Sequence, residues 1–361
     1  MIANIDETTE SIRQAMKEAE LLAGTTVDRL YAGIAGEHIE TRESPGVVAI
    51  PGEEIVPGDV VRVHDVARAV PLPADRELLH AIPTDYVVDE QGGIKDPVGM
   101  AGTRLETQLF LVTTSSVASG NIRKAVSRAG YRVQELILEP LATARAVLTE
   151  DEKEVGVVMV AIGGDTTEIA AYFEGQISRI AILPVGGATL THDLIRGLSL
   201  PHGEANRVKE AFGLAMARMA DPRETVEVPG PGPGQRRLVA RELIAHVMEQ
   251  RLDEILGLVE GELMRGGLLP RLAAGVVLTG GSAAIPGIVE LAQQIFAAPV
   301  RLGVPGEGLS GLADSVGRPR FACAAGLALS GVDRWHQTGQ GASTRASGVL
   351  SKVGAWLKEF F

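Results

Sequence analysis

The sequence is short of cysteine, of positive charge and of long apolar runs, and each shortage excludes something. The single thiol, Cys323, rules out a disulfide framework within the chain and a cysteine-rich zinc centre, and it fits a reducing compartment. Seven scattered histidines show no His-Glu-x-x-His or similar spacing, so no metal site is indicated. Lys and Arg number 34 against 46 Asp and Glu, a net charge of −12, which argues against a non-specific nucleic-acid binder. No stretch approaches the roughly 18 uninterrupted apolar residues of a membrane span. The opening MIANIDETTE is acidic and no apolar run follows a basic start, so it does not read as a signal peptide. The expectation is a chain that stays in the cytosol. What remains is ordinary globular material: 361 residues, 45% hydrophobic and 22% charged, enough for two or three domain-sized units and too apolar for wholesale disorder.

Apolar residues at helical spacing predict a helix over 6–22. Residues 38–115 alternate strand-like runs (GVVAI, VVRVH, TQLFLVTTS) with Pro-, Gly- and Asp-rich loops, and a helix is expected at about 117–129. Around residue 155 the character changes. VGVVMVAIGG is a short continuous apolar run of the kind buried on both faces, and EIAAYFEG and QISRIAILPVGG read as two further strands. TLTHDLIRGL and EANRVKEAFGLAM read as helices, PGPGPGQ as a loop, and 238–264 as a long amphipathic helix.

Two strand–glycine elements carry the chemical signal, Ile162-Gly163-Gly164-Asp165-Thr166-Thr167-Glu168 and Leu278-Thr279-Gly280-Gly281-Ser282-Ala283. Glycine lets a backbone turn tightly and come close to a ligand with N–H groups free for anionic oxygens. Either turn alone is commonly mere geometry. Two of them on strands, with Pro-Val-Gly-Gly at 184–187 between, are far more specific.

These motifs resemble the actin-like ATPase superfamily and, within it, the bacterial cell-division family FtsA. IGGDTTEIA resembles the second phosphate loop, VVLTGGSAAIPG the adenosine loop and LILEPLATARAVLT the first connecting helix. GIKDPVGMAGTRLE, 93–106, is similar to a stretch peculiar to FtsA. The resemblance implies an α/β fold of two halves around a cleft for ATP with Mg2+. The first half, 1A, would be 1–32 with 132–152, interrupted by the FtsA-specific subdomain 1C, 33–131. The second would comprise 2A, 153–200 with 272–335, and 2B, 201–271. By position, Gly163, Gly164, Asp165, Thr166 and Thr167 would cradle phosphates. Gly187, Lys209, Glu210, Gly280, Gly281 and Ser282 would lie near ribose and base, and Glu139 would orient an attacking water.

The sequence also departs from the pattern. The Asp-x-Gly-Thr hairpin of the first phosphate loop is absent, which leads to the expectation of a start codon set too late, with a truncated gene as the alternative, and in either case of an unpaired sheet edge. Ala161 stands where the second loop usually carries the Asp that helps hold hydrated Mg2+, Asp165 where it has a third glycine, and Asn206 where an acidic residue precedes the adenosine-helix lysine. Unit charges about 4 Å apart interact by roughly 4 kcal/mol near a protein surface. A carboxylate moved to the phosphate side therefore predicts weak ATP binding and slow or absent hydrolysis.

The chain closes with a small, polar linker, 336–347, and the segment 348–361. At about 100° per residue, Val349, Leu350, Val353, Trp356, Leu357, Phe360 and Phe361 fall in one arc of about 140°, with Lys352 and Lys358 outside it. At roughly 20 Å this helix is too short to span a bilayer and suits the interface, with lysines toward anionic lipid. A terminal helix docked on its own core is the alternative. The tail also resembles the membrane-targeting helix of FtsA.

Arg241 and Arg251 on the long helix, with Arg236 and Arg237 before it, form a basic cluster that is either a solvated face or a dock for an acidic peptide. The resemblance implies the latter, for the C-terminal tail of the tubulin-like division protein FtsZ. It further implies self-association into filaments, contacts with other division proteins, and a place on the cytoplasmic face of the inner membrane at the septum. An actin-like type IV pilus assembly protein of the PilM kind and a nucleotide-independent scaffold remain the alternatives.

Overall fold

Residues 2, 4–232, 234–306, 309 and 316–337 are described by a computed structural model, and their packing divides the chain between Leu138 and Glu139 into two units. The break falls inside the stretch 132–152 that the sequence groups as one piece.

The first unit opens with α1 (Ile5–Ala23). Its N-terminus is capped by Asn4, whose Oδ1 accepts from the Asp6 and Glu7 amides at 3.0 and 3.2 Å, and both acids suit the positive end of the helix dipole. β1 (Arg29–Ile34) follows. Then come β2 (Glu40–Ala49), α2 (Pro57–Arg68), β3 (Arg76–Val88), β4 (Gln91–Ile94), β5 (Arg104–Ser115), α3 (Ser116–Ala129) and β6 (Arg132–Leu138). β1 and β6 pair in parallel as a two-stranded sheet, and α1 packs on α3. The stretch between them makes an antiparallel sheet of order β2-β5-β3-β4, covered by α2.

VVRVH, expected as a strand, is instead the middle of α2. Pro57 starts the helix, and the Asp59 carboxylate accepts from the Val56 amide at 2.9 Å. Val63 and Ala67, four apart, are buried against the sheet, whereas Val61 and Val66 are exposed. Burial at helical spacing overrides the strand preference of valine.

The second unit begins with α4 (Glu139–Val147) and α5 (Glu150–Val155). Strands β7 (Val157–Ile162), β8 (Thr167–Phe173) and β9 (Gln176–Leu183) follow, then α6 (Gly187–Leu198) and α7 (His202–Phe212). Next come β10 (Thr225–Pro229), β11 (Arg236–Ala240), α8 (Arg241–Arg265), β12 (Gly275–Thr279), α9 (Ile288–Phe296), β13 (Val300–Leu302) and α10 (Ala322–Gln337). One five-stranded sheet has the order β13-β12-β7-β8-β9, with β13, β12 and β7 parallel and β8 and β9 antiparallel. Every residue of β7 is buried. Val158, Val160 and Ile162 enter a core with Leu190, Met248 and Leu252, while Val157, Met159 and Ala161 enter another with Ala144, Ala322 and Ala325.

The long helix expected from 238 begins at Arg241. Residues 236–240 pair instead with β10, Arg236 opposite Pro229 and Val239 opposite Val226. The Pro- and Gly-rich turn reverses the chain, and burial of Val226, Val228 and Val239 fixes the register. At the far end, α10 runs through Gln337, two residues into the segment read as a linker. The rest of that linker and the amphipathic segment 348–361 lie outside the described residues. No helix among the described residues is long and apolar enough to cross a membrane.

Candidate functional site

The site is built where β7 and β12 end side by side. Beyond Ile162 the chain turns through Gly163 to Thr166, closed by the Gly163 amide donating to the Thr166 carbonyl at 2.9 Å. The start of α6 docks on this turn, Gly187 N donating to Gly163 O at 2.9 Å and Ala188 N to Gly164 O at 2.8 Å. A Cβ at Gly187 would stand 2.6 Å from Ser282 Oγ, so the close approach requires glycine. At the end of β12, Gly280 has φ of 87°, and a Cβ there would lie 2.5 Å from the Ile162 carbonyl oxygen.

Between these turns and α7 lies a cleft of about 440 Å³. Gly163, Gly164, Gly187, Gly281 and Ser282 form one part of its wall, and Lys209 and Glu210 on α7 another. Lys209 Nζ donates to Gly187 O at 3.2 Å and to Thr191 Oγ1 at 2.9 Å. Burial holds its ammonium below the ordinary lysine range. Glu210 accepts from Asn206 Nδ2 at 2.8 Å. The remaining wall is Ala284, Ile285 and the turn Arg318-Pro319-Arg320.

Asp165, Thr166, Thr167 and Gly280, also expected at a nucleotide, are not part of this wall. Thr167 is buried, and its hydroxyl donates to Val185 O at 2.7 Å. Asp165 is exposed on the turn, and the Thr166 hydroxyl faces Glu168 Oε1 at 3.4 Å. Gly280 serves the junction of the strands. The two arginines are the residues that the motifs do not reveal.

Behind the turn, Glu139 at the start of α4 hydrogen-bonds to Glu168 on β8 and also to Cys323 on α10. Burial first, and then the Glu139 charge, push the Glu168 carboxyl up to about 8, and burial also raises Glu139. The Cys323 thiol is pushed up by burial and by both carboxylates. Near neutral pH the pair therefore holds a proton, on Glu168, which donates to Glu139.

The cleft suits an anion: a lysine and two arginines line it. It does not suit a metal ion held by the protein. Ala161, next to last in β7, presents no side-chain oxygen, and among the described residues no group of three or more His, Cys, Asp or Glu is placed to hold one.

The basic cluster is engaged within the second unit. Arg241 donates to Phe212 O at 3.0 Å and to Glu224 at 2.7 Å. Arg251 grips Asp193 on α6 with two bonds, 2.6 and 3.1 Å, and also pairs with Glu254. Any acidic peptide would have to displace Asp193 from Arg251.

Comparison with known proteins agrees with this architecture. A family model described as "Cell division protein FtsA" matches residues 158–326, and one described as "SHS2 domain inserted in FTSA" matches 36–113. The cell division protein FtsA of Pseudomonas aeruginosa is 43% identical over 372 residues, covering 100% of this chain and 88% of the relative. That of Neisseria meningitidis serogroup B is 40% identical over 368 residues, with 100% and 89% covered. Among solved structures, a PilM–PilN type IV pilus biogenesis complex superposes with a TM-score of 0.61 at 18% identity, over 92% of this chain and 87% of that one. The ethanolamine utilization protein EutJ of Carboxydothermus hydrogenoformans does so with a TM-score of 0.50 at 17% identity, over 91% and 75%. The structural neighbours establish the actin-like ATPase fold, with PilM a likeness of fold alone. The sequence relatives, aligned along the whole chain, establish that it belongs to the FtsA family of bacterial cell-division proteins.

Proposed function

We propose that the chain is the adaptor that ties FtsZ filaments to the cytoplasmic membrane at the division site, with an actin-like body that binds ATP weakly and hydrolyses it slowly or not at all. The observation that carries the nucleotide part is the convergence of the turns at Gly163, Gly187 and Gly281 with Lys209 on one cleft. Bound ATP would supply a polyanionic ligand for those turns. Within the chain, the Gly163–Gly187 contact orients the wall, and Lys209 stiffens the start of α6 through Gly187 O and Thr191. Glu139 is already engaged by Glu168 and Cys323, which supports slow hydrolysis, because a base that activates water must be free to face it.

Membrane attachment is assigned to Trp356, Phe360 and their neighbours, and recognition of the FtsZ tail to the subdomain 201–271 around Arg241 and Arg251. The 1A, 1C, 2A and 2B boundaries given above are part of the same reading. One interfacial helix binds marginally, so self-association into filaments would multiply attachment through effective concentration. The test is co-sedimentation of FtsZ filaments with vesicles containing anionic lipid. The expected result is FtsZ in the pellet only when this chain is present, and loss of that pelleting when 347–361 is deleted. FtsZ that stays in the supernatant with the intact chain, or that pellets equally with the deletion, overturns the adaptor reading.

A further inference from the structure

Resting on the nucleotide reading of the cleft, we propose that Arg318 and Arg320 neutralise the phosphates in place of a protein-held metal ion, so that this chain binds nucleotide with nearly the same affinity with and without Mg2+.

Three observations carry this. The first is placement. Both arginines are exposed and both line the cleft, while the proline between them is buried. Pro319 O accepts from the Gly280 amide at 3.3 Å and from Thr279 Oγ1 at 3.3 Å. That anchors the turn to the end of β12, the strand that leads into Gly281 and Ser282. Phe321 N donates to Arg318 O at 3.0 Å, and the Arg320 guanidinium lies 4.8 Å from the Phe321 ring centroid. The two side chains therefore stand on a fixed base, which lowers the entropy lost when they grip a ligand.

The second is availability. Lys209 already donates to Gly187 O and Thr191 Oγ1. Among the described residues neither Arg318 nor Arg320 pairs with a carboxylate, and a guanidinium fork can meet phosphate oxygens two at a time. Three cations against one carboxylate, Glu210, line a cleft in a chain of net charge −12. This local reversal of sign draws in polyanions.

The third is the missing alternative. Ala161, next to last in β7, has no side-chain oxygen, and the carboxylates of Glu139 and Glu168 face each other and Cys323. A metal ion arriving with the nucleotide finds little to hold it from the protein side. The arginines supply positive charge that such an ion would otherwise bring.

The experiment is calorimetric titration of the full chain with ATP, ADP and AMP, once with Mg2+ and once with EDTA. The expected result is affinities within about threefold between the two media, with ATP tighter than AMP in both. The Arg318→Ala/Arg320→Ala variant should lose about tenfold or more in both media. Both sites are exposed, so its thermal melt should match the parent. The single variants Arg318→Gln and Arg320→Gln, which keep chain length and polarity, should each lose part of that affinity. Binding that requires Mg2+, or arginine variants that bind as the parent does, overturns the proposal and leaves the nucleotide reading intact. No binding in either medium overturns both.

Discussion

Glu168 is a carboxylate placed where charge is costly. It is 6% exposed, beside Glu139, and keeps its proton up to about pH 8 against 4.5 for a free glutamate. Its folded pKa is raised, so between those values the folded chain binds more protons than the unfolded one. Stability must then fall as pH rises through that window, by a few kcal/mol at most, at about 1.4 kcal/mol per unit. The variant Glu168→Gln cannot ionise and can still donate to Glu139. Its melting temperature is expected to be flatter than the parent's from about pH 5 to pH 8, and higher at the alkaline end. Melts recorded across that range check this, and parallel curves for the two proteins would assign the slope to other groups. Little of this pair was legible beforehand. Glu139 entered only through family resemblance, and Glu168 was one acid in a turn motif. Their meeting depends on β8 lying beside α4, which no local pattern encodes. Arg318 and Arg320 were hidden for the same reason: they reach the cleft because Pro319 docks on Thr279, 40 residues earlier in the chain.

Among the elements, α6 and α8 are joined by an ion pair at the candidate docking surface. Arg251, a candidate for a solvated face or for an acidic partner, holds Asp193 across the two helices, with side-chain exposures of 27% and 25%. Arg251→Glu would set like charges beside Asp193 and Glu254, at a cost of about 1–2 kcal/mol, or several degrees of melting temperature. The swap Arg251→Glu/Asp193→Arg is expected to recover most of that loss. Differential scanning calorimetry decides it, and FtsZ-tail binding by the recovered double variant then separates docking from stability. At this scale the sequence was readable wherever one signal dominated. β7 announced itself because both faces needed apolar residues. α2 did not, since valine-rich VVRVH carries a strand's composition on a helix's spacing. The boundary at Arg241 was missed because the Pro- and Gly-rich turn commits the next five residues to a hairpin.

Across the whole molecule, net charge and tail pull in opposite directions. The chain as a whole has a net charge of −12, which disfavours anionic lipid, while in the proposed attachment Lys352 and Lys358 and the apolar residues between them would favour it. Screening should weaken both electrostatic contributions and leave the apolar one. Vesicle binding is accordingly expected to survive about 0.5 M salt with less than a tenfold loss, and to vanish on changing Trp356 and Phe360 to glutamate. Flotation assays at two salt concentrations read this directly, and binding abolished by salt alone would make the tail an electrostatic anchor. The fold class was legible at this scale because glycine turns at strand ends leave a signature in the chain.

β7 carries a quieter consequence. Its odd-numbered side chains belong to one core and its even-numbered ones to the other. Deleting or inserting a single residue there would invert the parity of both at once, and no relaxation on one side could absorb the error. The turn at Gly163 thus inherits its phase from two independent locks, so substitutions can alter what the cleft holds while its position along the strand stays fixed.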